Sequence, residues 1–94
     1  MELTFEHVNG EKKGDIKLYA LSTCVWCGKT KDLLKELGVD FNFVFVDLLQ
    51  GDTKQYAIDE VKKYNKNFSF PTLVINNDKV IVGFKEAEIK EALS

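Results

Sequence analysis

Residues 16–38 read IKLYALSTCVWCGKTKDLLKELG, and the order of residue types in this stretch decides the architecture. Ile16-Lys17-Leu18-Tyr19-Ala20-Leu21 is a β-rich run that stops immediately before Cys24 and Cys27. From Cys27 to Leu37 the apolar residues Leu33, Leu34 and Leu37 share a helical face. Lys29, Lys31 and Lys35 lie elsewhere, and Gly38 supplies a stop. Phe41-Asn42-Phe43-Val44-Phe45-Val46 is apolar on nearly both faces, as a parallel strand covered by helices requires. Ile16 to Asp47 is therefore a βαβ unit, with parallel strands and a right-handed crossover. Both cysteines fall beyond the carboxyl end of a strand, where reactive groups collect in open α/β sheets.

Working outward, Leu3-Thr4-Phe5-Glu6-His7-Val8 alternates apolar and polar residues and ends in Asn9-Gly10, which predicts an edge strand and a turn. After Gly51, Asp52 or Thr53 is placed to cap a second helix. Its inward stripe is Ala57, Ile58, Val61 and Tyr64, and it ends near Asn65. Thr72-Leu73-Val74-Ile75, the turn Asn76-Asn77-Asp78 and Val80-Ile81-Val82 read as a β-hairpin. Ile89, Ala92 and Leu93 mark a short closing helix. The expected fold is α/β, a mixed central sheet of four strands in the order β-α-β-α-β-β-α, flanked by helices and preceded by an extra N-terminal strand. It forms one domain over 1–94, with the strand and turn in 1–14 and the core in 15–94.

At 94 residues the chain fits one hydrophobic core. A net charge of -2 argues against phosphate-driven nucleic-acid binding, and Lys62-Lys63 with Lys66 reads as a solvated helix face. No apolar stretch approaches the ~20 residues that cross a bilayer. The N-terminus lacks the charged and apolar regions of a signal peptide, so a cytoplasmic address is expected; the chain is also expected to be a monomer. Two cysteines make no disulfide framework, and in a cytosol a bridge between them is a working one. A zinc site wants four ligands, whereas the chain has only Cys24, Cys27 and His7 as nitrogen or sulfur donors. His7 itself reads as a surface residue.

With Cys24 at or near a helix N-cap and Cys27 three residues on, the side chains share a face one turn apart. That satisfies the Cα separation of roughly 4.4–6.8 Å that a disulfide tolerates. Unpaired amide N–H groups and the positive helix end face Cys24, favouring its thiolate. Cys24 is the expected nucleophile and the less exposed Cys27 the resolving residue. Pro71, the only proline, follows Ser69-Phe70 and opens a strand. It is either ordinary punctuation or a cis bond that turns the Phe70 backbone towards the Cys24 sulfur, ready to pair with an extended substrate.

Taken in this order, the strand and Cys24-Val25-Trp26-Cys27, the βαβ unit, Ser69-Phe70-Pro71-Thr72 and Gly83-Phe84 resemble the glutaredoxin branch of the thioredoxin-fold family over about residues 15–94. The resemblance implies a cis-proline at Pro71 and a reactive first cysteine. It also implies a substrate surface of Thr23, Val25 and Trp26 beside the cysteines, with Phe70, Pro71, Gly83, Phe84 and Lys85 opposite. Val25 stands where the family usually has proline, and Leu21 where many members carry a lysine for glutathione. Val82-Gly83-Phe84-Lys85-Glu86 replaces a double glycine followed by acids, closer to the redoxins that serve ribonucleotide reductase. Thioredoxin proper matches less well, since Leu18 takes the place of its buried acid.

The expected activity is reduction of protein or small disulfides through a Cys24 mixed disulfide resolved by Cys27. No cofactor is bound. Electrons come from a low-molecular-weight thiol, glutathione or another, or from a flavoprotein reductase. Lys85 either meets a carboxylate or sulfonate or is simply solvated. Two alternatives are a redoxin that is recharged by thioredoxin reductase and supplies ribonucleotide reductase, and a dimeric iron–sulfur carrier.

Overall fold

The computed structural model describes residues 3–93, among which five strands and three helices follow one another along the chain. They are β1 (Glu6–Val8), β2 (Ile16–Ala20), α1 (Val25–Glu36), β3 (Phe41–Phe45), α2 (Gly51–Tyr64), β4 (Thr72–Ile75), β5 (Lys79–Val82) and α3 (Glu86–Leu93). The sheet runs β1-β3-β2-β4-β5. β2 and β3 are parallel, with Leu18 opposite Phe43, as the intervening helix requires. The other three pairings are antiparallel, and the β4–β5 hairpin turns through Asn76 and Asn77, both at positive φ.

Two-residue periodicity sorts each strand between two apolar layers. Ile16, Leu18, Phe41, Phe43, Leu73, Ile75 and Ile81 face Leu33, Leu34, Ile89 and Leu93 of α1 and α3. Tyr19, Val44 and Val74 face Ala57 and Val61 of α2 on the other side. Burying both faces of the central strands leaves their carboxyl ends as the place where side chains of β2, β3 and α1 can meet solvent.

Three local readings are corrected. The first strand starts at Glu6 rather than Leu3, because Leu3 and Phe5 pack on the α2 layer, Phe5 edge-on to Tyr19 at 5.6 Å. β3 ends at Phe45, and Val46–Leu48 tighten into a 3-10 turn carrying Asp47. The N-cap position of α2 is Gln50 rather than Asp52 or Thr53. The helix begins at Gly51 after Gln50, whose side chain makes no capping bond, and Gly51 takes a φ of 58° that suits glycine.

His7 is exposed, and its ring bridges two side chains of the β3 region, Asn42 Oδ1 at 2.7 Å and Asp40 Oδ2 at 3.1 Å. The turn after β1 needs Gly10. A Cβ there would lie 2.5 Å from the Val39 carbonyl carbon.

Candidate active site

Cys24 is the N-cap of α1, in extended conformation with φ -91° and ψ 116°. The Cys27 N–H donates to its sulfur at 3.2 Å, so the thiol takes the place of the hydroxyl or carboxylate that usually caps a helix. The Gly28 N–H, at 3.1 Å from the Cys24 carbonyl, starts the helical ladder. Both cysteines are free thiols. Cys24 is half-buried, whereas Cys27 is 1% exposed and part of the core beneath α1 and α3. Burial, reinforced by the hydrogen bond to Cys24, pushes the Cys27 thiol up to about 12. One sulfur is thus presented to solvent and held by a backbone donor, while the other waits behind it as a neutral thiol.

The loop from α2 to β4 reaches the same end of the sheet, since Thr72 pairs with Tyr19 near the end of β2. The Phe70–Pro71 peptide is cis. Asn65, buried at the end of α2, organises this loop. Its Nδ2 donates to the Ser69 carbonyl at 3.0 Å and lies 3.1 Å from Ser69 Oγ and 3.2 Å from Thr72 Oγ1. Its Oδ1 accepts from the Asn67 N–H at 3.2 Å. Thr72 Oγ1 donates to the Ser69 carbonyl at 2.8 Å. Asn65→Ala removes these bonds, to the exposed Asn67 and Ser69 and the buried Thr72 hydroxyl, and should cost about 1–3 kcal/mol in all, read as a lower denaturant midpoint with an unchanged slope.

The segment after β5 lies at this end as well, since Val82 pairs with Thr72. Gly83, at φ 86°, donates its N–H to the Pro71 carbonyl at 2.9 Å. Phe84 stacks on Trp26 with centroids 5.9 Å apart and planes 24° from parallel, and the Lys29 ammonium sits 5.0 Å from the Trp26 ring centre. Cys24, Phe70 and Phe84 all pack against the apolar layer that contains Cys27. The expected set is therefore gathered at one end of the sheet. Thr23 lies exposed in the turn before Cys24, and Val25 is 69% exposed beside it. Lys85 is exposed and 3.9 Å from Glu88.

The family model described as Glutaredoxin matches residues 16–81, which hold both cysteines, the βαβ unit and Pro71. The chain belongs to the glutaredoxin family. A glutaredoxin-like 8.6 kDa protein in the rubredoxin operon of Clostridium pasteurianum, itself uncharacterised, is 36% identical over 78 residues, 83% of this chain and 96% of that one. The methanoredoxin of Methanosarcina acetivorans is 56% identical with a TM-score of 0.88, covering 90% of each chain. The glutaredoxin from Methanosarcina mazei Go1 is 53% identical with a TM-score of 0.89, over 96% of this chain and 87% of that one. The glutaredoxin family is one of thiol oxidoreductases, and this member keeps the CxxC pair at its helix N-terminus.

Two residues that build the site carried no signal at the level of sequence reading. Asn65 appeared only as a helix end and Asp47 only as a strand end. Asn65 holds the Pro71 loop, and Asp47 accepts two hydrogen bonds from Ser22.

Proposed function

We propose that the chain is a dithiol reductase of protein disulfides. The observation that carries this reading is the asymmetry of the pair, with Cys24 half-exposed at the N-cap and Cys27 buried one turn behind it. The Cys24 thiolate attacks one sulfur of a substrate disulfide; the substrate S–S bond breaks and its first thiolate leaves. Cys27 then attacks the Cys24 sulfur, giving up its proton. The second substrate thiolate leaves, and an internal Cys24–Cys27 disulfide remains. Two electrons have passed to the substrate, and a small thiol or a flavoprotein reductase returns them.

A protein substrate is favoured by the surface around Cys24. Val25 and Trp26, 69% and 55% exposed, flank the nucleophile, and Leu48, 63% exposed, follows the Asp47 that is bonded to Ser22. Such an apolar collar suits a macromolecular surface more than a small polar thiol. Trp26, Phe70 and Phe84 supply the rim, and Thr23 and the backbone beside Pro71 supply hydrogen bonds to an extended substrate. The setting is a reducing cytoplasm.

Cys27→Ser tests the scheme, since it removes resolution while leaving attack intact. It should accumulate one equivalent of stable mixed disulfide with an oxidised protein substrate, counted by mass spectrometry, whereas the native chain releases reduced substrate. Failure to trap any adduct would sink the scheme. Offering the oxidised native chain glutathione, other small thiols, and thioredoxin reductase with NADPH in turn identifies the reductant. The fastest recovery of free thiols names it.

A further inference from the structure

The turn that presents Cys24 is tied down from a neighbouring strand. Ser22 is exposed, yet it gives two hydrogen bonds to one carboxylate: its N–H donates to Asp47 Oδ1 at 2.8 Å and its hydroxyl to Asp47 Oδ2 at 2.5 Å. Asp47 stands in the 3-10 turn just after β3, so the clamp joins the carboxyl ends of the two parallel strands. The segment it grips closes as a turn through the Cys24 N–H and the Leu21 carbonyl, 3.3 Å apart. The Leu21 backbone also offers the Cys27 sulfur a hydrogen bond that favours the thiolate. One short segment, 21–24, therefore carries one cysteine and bears on the other, and the Asp47 side chain holds it from a neighbouring strand end.

We propose that Asp47 is a positioning residue of the redox site. By gripping both hydrogen-bond donors of Ser22, it fixes the 21–24 turn against Cys24 and Cys27 and so sets how readily Cys27 closes the ring. The inference rests on the dithiol reading.

Asp47 acts in two opposed senses. Its negative charge disfavours the Cys27 thiolate, while the turn it holds keeps the Leu21 hydrogen bond on that sulfur. The charged groups bearing on the pair are Cys24 and Asp47 around Cys27, with Lys54 facing Asp47 from α2. The two Ser22 bonds hold the Asp47 carboxyl below its ordinary range, so it is ionised wherever the protein works. A tie serving stability alone would leave the ionisation of Cys27 unmoved.

The test compares Asp47→Asn, Asp47→Ala and Ser22→Ala in the full chain. It follows the decay of a preformed Cys24 mixed disulfide between about pH 6 and 10, with thermal melting alongside. Asparagine keeps the shape and the acceptor for the Ser22 N–H but removes the charge. Its profile should move to lower pH. Alanine removes the grip, and ring closure should slow about 10-fold or more, since small misplacements of reacting groups carry costs of that size. Asparagine should recover that loss, and Ser22→Ala should fall between. Native rate and profile in Asp47→Ala overturn the proposal, and so does equal slowing by asparagine and alanine with an unshifted profile. If Asp47→Ala does not fold, Ser22→Ala decides, because it removes only an exposed hydroxyl; a native profile there also overturns it. Were the native chain itself unable to close the ring, the dithiol reading would fail, an outcome separate from any of these.

Discussion

Cys24→Ser is expected to lose disulfide reductase activity by a factor on the order of 10³ or more while melting at the native temperature. Activity goes because a serine oxygen cannot form the mixed disulfide through which thiol–disulfide exchange proceeds. Stability stays because the position is an N-cap. Serine is among the preferred caps, and its Oγ can accept the Cys27 N–H that the sulfur accepts now. Reduction of a protein disulfide, followed beside a thermal melt, separates the two effects. Substantial activity in a well-folded variant would remove Cys24 from the mechanism.

The second large effect is one of pH. Ring closure needs the Cys27 thiolate, and burial, with the hydrogen bond to Cys24, holds that thiol up at about 12. Once Cys24 is joined to substrate, its hydrogen bond no longer contributes, but burial, the largest cause, remains. The thiolate fraction, and with it the decay rate of the mixed disulfide, should therefore rise about tenfold per pH unit between about pH 7 and 9. A quenched-flow series on the native chain measures the slope, and a flat profile would refute it. The same shift has a stability consequence of definite sign. The folded pKa lies above the ordinary 9.0, so this contribution is fully present below pH 9 and is lost as pH rises towards 12. The disulfide form has no thiol to ionise and should not share the decline.

The fold was largely legible because its signals are local. The run Ile16–Ala20, the Leu33–Leu34 face of α1 and the Asn76–Asn77 turn each declare themselves within a few residues. The misread ends are places where a distant contact outweighs local pattern. Leu3 and Phe5 alternate like strand residues, but packing on the α2 layer, with Phe5 edge-on to Tyr19, takes them out of the strand. The cysteines and Pro71 were readable as chemistry because their spacing and neighbours imply geometry. Asp47 and Asn65 were not, since what each holds is set only after folding. Ser22 lies 25 residues from Asp47, and Asn65 acts mainly through Ser69 and Thr72 across a non-repetitive loop.

The short N-terminal strand has a meaning beyond completing the sheet. Residues 41–45 read Phe-Asn-Phe-Val-Phe, an uncharged, aromatic, β-branched window with neither proline nor glycine, the composition from which cross-β assemblies are built. Without β1 this strand would be the open edge of the sheet, offering its backbone to any second copy. Pairing with Glu6, His7 and Val8 occupies that edge with three residues, two of them polar and exposed, and the His7 ring fastens the pair at Asn42 and Asp40. What the solvent meets is a strand too short and too hydrophilic to template further pairing. Residues outside the redox site thus close the sheet edge most open to pairing with another chain.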